Sequence, residues 1–157
     1  MKMKNEPIEK TLNIDPANLH AYSTGLLQGK AYHRLHAALT QTLNPYNVSL
    51  PEWKLLGQLH EHGKIRLADL ADRLSYDPPM VTKLAKMLEK KGFLQRLPDP
   101  HDERAKLVSI TKNGNSLVLQ IEPIAKKRLA QILNGVTKDE LLIYIKVLTA
   151  IVNNTQV

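Results

Sequence analysis

The sequence contains no cysteine, and its 157 residues include one tryptophan, one phenylalanine and five tyrosines. The absence of cysteine excludes a disulfide scaffold, a thiolate metal site and a thiol redox switch within this chain. So few aromatic residues argue against a single-strand nucleic-acid binder built on rows of stacking side chains. Neither an apolar N-terminal segment nor a run of about 18 apolar residues is present, so we expect a cytoplasmic protein with no membrane partner.

Basic residues outnumber acidic ones. Lysine and arginine total 22 and aspartate and glutamate total 15, which gives a formal net charge of +7. Such an excess favours a polyanionic partner, for which DNA, RNA and an anionic membrane are the choices that charge alone leaves open. The length suits one domain with a single core.

The first part of the chain predicts an arm and a long helix. Residues 1–14 show no clear periodicity and are expected to form a flexible arm, after which Asp15-Pro16 is a typical helix start. Apolar residues then recur at helical spacing until Asn44-Pro45. A helix of this extent would be about 42 Å long at about 1.5 Å per residue, whereas a compact chain of this size has a radius of gyration of about 15 Å. We therefore assign residues 15–47 to a dimerisation helix that a second subunit covers.

Shorter elements follow within residues 48–112. Ser49 and Glu52 form a capping-box pattern for a helix that ends at His62-Gly63. Two further short helices lie on either side of a break at Ser75-Tyr76, which indicates a helix-turn-helix. They are predicted over Leu67–Leu74 and from Asp77-Pro78 to Lys90-Lys91-Gly92, and two strands, Phe93–Leu97 and Lys106–Ile110, are predicted after them, with a long charged hairpin tip over residues 98–105.

The C-terminal residues 113–157 predict two more helices. Thr111 can cap a long helix that ends near Asn134-Gly135, and Thr137 with Glu140 forms a second capping box. The last helix has an apolar surface wider than one stripe, which implies burial on more than one side. Together with the first long helix, it is the predicted dimer interface.

The helix that begins at Asp77-Pro78 has two different faces. Val81, Leu84 and Leu88 share one side, and at about 100° per residue the polar residues lie on the other. The apolar side would pack on the domain, which leaves hydroxyl and ammonium groups for the bases and phosphates of a major groove. The alternative for this helix alone is an ordinary solvated lysine face. The candidate DNA contacts on it are Pro79, Thr82, Lys83, Lys86 and Lys90.

Four short motifs succeed one another between Leu74 and Gly114. They are Val81-Thr82-Lys83-Leu84, Leu88-Glu89-Lys90-Lys91-Gly92, Asp99-Pro100-His101-Asp102-Glu103-Arg104 and Ile110-Thr111-Lys112-Asn113-Gly114. This segment resembles the signature of the MarR family of transcriptional regulators. The resemblance implies a mostly α winged helix-turn-helix fold with a small β-hairpin wing and long N- and C-terminal dimerisation helices. It also implies a homodimer that binds a palindromic operator in double-stranded DNA, usually to repress transcription.

The resemblance assigns roles in the wing. Arg104 corresponds to the family's wing arginine, which enters the minor groove, and Asp102 to the structural carboxylate that holds it. His101 stands where the family usually has another arginine, and it is included among the candidate DNA contacts. Lys83 replaces a common arginine of the recognition helix. Since lysine cannot make the planar bidentate contact of arginine, base recognition at this position is expected to differ.

The resemblance also implies an effector pocket between the dimer region and each winged domain, which accepts small aromatic acids or phenols in family members. His33, His36, Tyr46 and Trp53 lie on the helices that would border such a pocket. For Trp53, packing in the core is the expected role.

The six histidines suggest a metal site, because His33 and His36, and also His60 and His62, are close in sequence. However, the sequence has no His-Glu-x-x-His or cysteine motif, so we predict no metal and no cofactor. It also has no nucleophile elbow or phosphate loop, so we predict no catalytic residue and no enzymatic activity. Two alternatives stay open, a zinc-sensing regulator that uses histidines and a non-specific basic DNA-coating protein.

Overall fold

The computed structural model describes the backbone of residues 21–100 and 102–155 and the side chains of residues 25–100 and 106–155. The predicted arm, the predicted start of the first helix and His101 lie outside the described residues. The side chains of Asp102 and Arg104 are also outside them. The chain divides into two compact units, residues 1–38 and residues 39–157.

The first long helix, α1, covers Ala21–Leu43 in the described residues and ends where the sequence predicted. The next residues, Asn44–Tyr46, form a 3-10 turn with Pro45 in its first turn. Asn47 closes this turn in the left-handed conformation, with φ of 53°, and its N–H donates to the carbonyl oxygen of Asn44. Asparagine tolerates this conformation better than most residues.

Three helices and a two-residue strand follow. Helix α2 covers Leu50–His62, strand β1 Ile65–Arg66, helix α3 Leu67–Leu74 and helix α4 Pro78–Lys90. The capping box predicted for α2 is present in full, because Ser49 and Glu52 bond each other's backbone N–H. Between α3 and α4, Ser75 takes a left-handed conformation with φ of 52°, which produces the tight turn of the predicted helix-turn-helix.

Two longer strands, β2 (Leu94–Asp99) and β3 (Asp102–Ile110), complete an antiparallel sheet in the order β1-β3-β2. The predicted end of the second strand at Ile110 is confirmed. The predicted end of the first strand at Leu97, the predicted start of the second at Lys106 and the predicted long tip over residues 98–105 are wrong, because pairing continues to Asp99 opposite Asp102. Pro98 does not stop the pairing because β2 is an edge strand, where a missing N–H is tolerated, and a register shift between Pro98 and Asp99 takes up the irregularity. Strand β1 was not predicted.

The remaining helices are α5 (Lys112–Ile132) and α6 (Lys138–Asn154). Thr111 caps α5 and the predicted Thr137–Glu140 capping box starts α6. Gly114 lies so close to the end of the preceding helix-turn-helix that a Cβ atom there would overlap the carbonyl oxygen of Phe93. Glycine at this position therefore lets α5 begin directly against the winged module, which comprises helices α2 to α4 and strands β1 to β3.

One main core lies between α2, α3, α4, the sheet and the start of α5. Its buried members are mostly leucine and valine, and Leu55, Leu56, Leu59, Leu70, Val81, Leu88 and Val108 are 0% exposed. A second cluster joins Leu43, Leu50 and Ile121. The predicted fold class, mostly helical with a small hairpin wing, is confirmed. Among the helices that the structure describes, none has the length and apolarity needed to cross a membrane.

Candidate nucleic-acid interface

Helix α4 presents the two faces that the sequence predicted. Val81, Leu84 and Leu88 are buried in the main core, together with Ala85. The opposite face is polar and cationic, with Pro79, Lys83, Lys86 and Lys90 exposed and Thr82 half-buried. Packing therefore fixes the helix on one side and leaves its ammonium groups in solvent on the other.

The start of α4 is held by its cap. The Asp77 side chain accepts a hydrogen bond of 2.7 Å from the N–H of Met80. The Thr82 hydroxyl donates to the carbonyl oxygen of Pro78 at 2.9 Å. In this arrangement the oxygen of Thr82 can accept a hydrogen bond from a base, and its methyl group can contact an apolar base edge.

The end of α4 is anchored by Lys91, which the sequence did not single out as a tertiary contact. Its Nζ donates to both carboxylate oxygens of Glu52, at 2.8 and 3.0 Å, and to the carbonyl oxygen of Asn47 at 2.8 Å. Burial of the Glu52 carboxyl group opposes its ionisation, but hydrogen bonds from Lys91 and Ser49 outweigh burial and hold the pKa of Glu52 below its ordinary value. Lys91 therefore connects α4 to the start of α2, whereas its neighbour Lys90 is exposed.

A second ion pair joins α4 to the wing. The Nε of Arg96 in β2 donates to the Glu89 carboxylate at 2.8 Å, and the backbone N–H of Arg96 lies 3.4 Å from the other carboxylate oxygen. The hydrogen bond from Arg96 lowers the pKa of Glu89. Because two groups of one residue bond one carboxylate, the first wing strand and the candidate recognition helix are held together.

A third ion pair joins β1 to the end of β2. The Nε of Arg66 donates to the Asp99 carboxylate at 2.6 Å, and the Asp99 residue is only 5% exposed. Sequence reasoning missed this pair because its members are 33 positions apart, although Asp99 belongs to the recognised wing motif. The structural carboxylate role was assigned to Asp102 instead, which stays a prediction because that side chain is not described.

The structure describes contacts for four of the six histidines. His60 Nδ1 lies 2.6 Å from the side-chain oxygen of Asn115, and His62 Nε2 lies 3.6 Å from a carboxylate oxygen of Glu61. In the first unit, the rings of His33 and His36 lie 5.6 and 5.9 Å from the ring of Tyr32. Within the described part of the chain, no group of three or more histidine and acidic residues could hold a metal ion.

An open pocket of about 280 Å³ lies between the end of α1, the 3-10 turn and α5. Of the four candidate ligand residues, Tyr46 lines this pocket, whereas Trp53 packs against both core clusters. His33 and His36 belong to the first unit. The lining residues are Gln41, Thr42, Pro45, Tyr46, Ile124, Lys127, Arg128 and Gln131.

Comparison with known proteins gives consistent matches. Residues 48–106 match the model of the MarR family. The chain is 28% identical to the uncharacterized HTH-type transcriptional regulator YwaE of Bacillus subtilis. This match extends over 146 residues, which are 92% of this chain and 85% of that protein.

Two solved structures share the fold over most of their length. MarR from E. coli, in a complex with operator DNA, is similar with a TM-score of 0.78 at 23% identity, over 84% of this chain and 95% of that one. BpsR from Bordetella bronchiseptica, whose structure concerns regulation of its DNA binding by 6-hydroxynicotinic acid, is similar with a TM-score of 0.75 at 25% identity, over 82% and 98%. The helices and the small sheet described above therefore correspond to a winged helix-turn-helix.

Proposed function

We propose that this chain is a transcriptional regulator of the MarR family, which acts as a homodimer, binds a palindromic operator in double-stranded DNA and represses transcription. The observation that carries this proposal is the cationic outer face of α4, next to a wing that the Arg96–Glu89 ion pair holds to the same helix. A major groove admits one helix, and a neighbouring hairpin can follow the adjacent groove.

In this proposal, α4 is the recognition helix. Lys83 and Lys86 supply charge for phosphates and base-edge acceptors, and Thr82 reaches a base through its oxygen or methyl group. Pro79 and Lys90 border this contact at the two ends of the helix. A lysine at position 83 favours phosphate contact over bidentate recognition of guanine.

The wing supplies the second contact. We assign minor-groove insertion to Arg104, since the negative potential of a narrow minor groove attracts a guanidinium group. His101 is a further wing contact and Asp102 a brace for Arg104. The antiparallel pairing of β2 with β3 supports this assignment because it extends to Asp99 and Asp102, so that Arg104 lies within β3.

The proposal divides the chain by role. Residues 48–112 bind DNA, residues 15–47 and 113–157 form the dimer, and residues 1–14 are an arm. Exposed apolar side chains on α6 support the dimer, because Leu142, Ile145 and Val152 are 54%, 50% and 64% exposed in the single chain. Sedimentation equilibrium at micromolar concentration should give a dimer. A monomer at that concentration would contradict this part of the proposal.

Selection of bound genomic fragments tests the sequence-specific function. Sheared DNA from the source organism is captured on the purified protein at about 150 mM salt and sequenced. A specific regulator should enrich a short inverted repeat, whereas a non-specific coating protein would recover fragments in proportion to their abundance. A reporter placed behind the enriched fragment then tests repression, because expression should rise when the gene for this protein is deleted.

We also propose that a small aromatic acid occupies the pocket and lowers DNA affinity. Lys127 and Arg128 give this pocket two cations for a carboxylate, and Tyr46 gives it an aromatic ring. The single tryptophan, Trp53, packs in the same cluster as Tyr46 and provides a fluorescent reporter. Titration with salicylate and 6-hydroxynicotinate should change its emission, and Arg128→Gln should weaken binding. Unchanged emission and unchanged DNA affinity with both compounds would contradict the proposed effector class.

A further inference from the structure

Three ion pairs join separate elements of the winged module, and they differ in how exposed the two partners are. The side chains of Lys91 and Glu52 are 24% and 1% exposed, and those of Arg96 and Glu89 are 32% and 34% exposed. Arg66 and Asp99 are 45% and 3% exposed. Arg66 is therefore the most exposed of the three cations although its carboxylate partner is buried.

The two cations that pair with buried carboxylates differ in how many of their N–H donors are used within the chain. The three hydrogen bonds of Lys91 account for all three donors of an ammonium group. Arg66 bonds Asp99 through Nε, and a guanidinium group has four further N–H donors on its two terminal nitrogens. On a side chain that is nearly half exposed, these terminal groups are suited to an acceptor from outside the chain.

The position of Arg66 agrees with a nucleic-acid contact. Arg66 is the last residue of β1 and the N-cap of α3, the first helix of the helix-turn-helix, and its side chain makes no capping hydrogen bond. Its guanidinium group lies beside Asp99, which is paired with Asp102 next to the wing tip. In proteins of this architecture, the first helix of the motif crosses the DNA backbone.

The buried carboxylate of Asp99 explains how the Arg66 side chain would be positioned before DNA binds. A carboxylate that loses its water must be compensated by a cation and hydrogen bonds, so Asp99 fixes the guanidinium group in one place. A side chain fixed before binding loses less conformational entropy on contact with a ligand. The remaining guanidinium donors match the oxygens of a phosphate.

We infer that Arg66 is a phosphate contact of the DNA interface, positioned by the buried carboxylate of Asp99. This inference rests on the proposed DNA-binding function. The competing role is a structural one, in which the pair only holds β1 against the end of β2.

The double variant Arg66→Gln/Asp99→Asn separates these roles. It removes the buried carboxylate and its guanidinium partner together and does not change the net charge. Its matched control is Glu122→Gln/Lys126→Gln, which removes an exposed ion pair on α5. Thermal unfolding checks that both variants fold. Affinities are measured for the enriched operator and for scrambled DNA at one salt concentration.

A phosphate contact carries no sequence information, so the double variant should bind both DNAs about tenfold more weakly, with their ratio unchanged. The control should bind like the wild type. Unchanged affinity of the folded double variant would overturn the inference, and so would a loss confined to the operator, because that pattern indicates a displaced wing. If the wild type shows no preference for the operator, the proposed function fails instead.

A second measurement uses only the wild-type protein. Phenylglyoxal modifies exposed arginines, and mass spectrometry reports the rate at each position, with an added arginine-containing peptide as the reference. Bound DNA should slow modification of Arg66 at least fivefold relative to that peptide. Equal rates at Arg66 with and without saturating DNA would overturn the inference even if the double variant did not fold.

Discussion

Large apolar side chains are buried in the winged module but exposed on the C-terminal helix α6. In the module, Leu55, Leu56 and Leu88 are fully buried against residues of the same chain. Helix α6 has no buried residue, and Ile143 and Val152 are 58% and 64% exposed. A single chain therefore completes the packing of its DNA-binding part but not that of its last helix.

The difference in burial indicates that α6, unlike the winged module, depends on a second subunit to cover its apolar residues. Contiguous exposed apolar surface of this kind marks an interaction site, and the proposed homodimer would cover it with a second copy of α6 and its neighbours. Helix starts alone do not reveal the difference, since α2 and α6 begin with the same kind of capping box. Their surroundings differ instead, because Lys91 and the core cover the Glu52 box while the Glu140 box is exposed.

The largest predicted effect comes from cavities in the module. Leu88→Ala should lower the free energy of unfolding by about 2 to 5 kcal/mol, because Leu88 is 0% exposed and its neighbours cannot fill the space. Leu142→Ala in α6 should act mainly on dimerisation, since Leu142 is 54% exposed in the single chain. Urea unfolding at two protein concentrations measures both.

If Leu142→Ala cost as much as Leu88→Ala at a concentration where sedimentation shows monomer, α6 would be packed within its own chain, contrary to this prediction. The expected result is a concentration-dependent loss for Leu142→Ala and a concentration-independent loss for Leu88→Ala.

The next effect concerns the place where α5 meets the module. Gly114→Ala should destabilise the protein by about 1 to 3 kcal/mol, because the new methyl group meets the backbone of Phe93 and one of the two segments must move. Gly57→Ala, in the interior of α2, is the matched control. A methyl group there has no neighbour within 4 Å, and alanine favours a helix over glycine by about 0.5 to 1 kcal/mol. Gly114→Ala should lower the thermal unfolding temperature and Gly57→Ala should raise it. An unchanged unfolding temperature for Gly114→Ala would contradict the close approach of Gly114 to Phe93.

A smaller effect on stability depends on pH and is expected to differ between the two capping boxes. Since the folded-state pKa of Glu52 is lowered, its ionisation stabilises the protein above the ordinary carboxyl pKa of 4.5 and stops doing so as pH falls through the folded pKa. Glu52→Gln should therefore cost about 1 to 3 kcal/mol at pH 7 and progressively less in acid. The same substitution at the exposed Glu140 should cost less at pH 7. Equal costs at pH 7 would contradict the role of Lys91 in the module.

Much of this architecture follows from local sequence rules. Capping residues predicted the starts of α2, α4, α5 and α6, because a cap is satisfied within four residues of itself. Tertiary ion pairs could not be predicted in the same way, since Lys91 and Glu52 are 39 positions apart and either could have faced solvent. Strand ends were missed because Pro98 and Pro100 read as loop residues, whereas an edge strand with a register shift accepts Pro98.

The ratio of two DNA affinities measures directly whether the protein binds DNA with sequence specificity. The wild-type protein is titrated against a fragment from upstream of its own gene and against a scrambled fragment of equal length and composition, at the same ionic strength. A sequence-specific regulator should bind the upstream fragment at least about 10³-fold more tightly than the scrambled one. Equal affinity for both fragments, at a protein concentration that gives full binding, would contradict it.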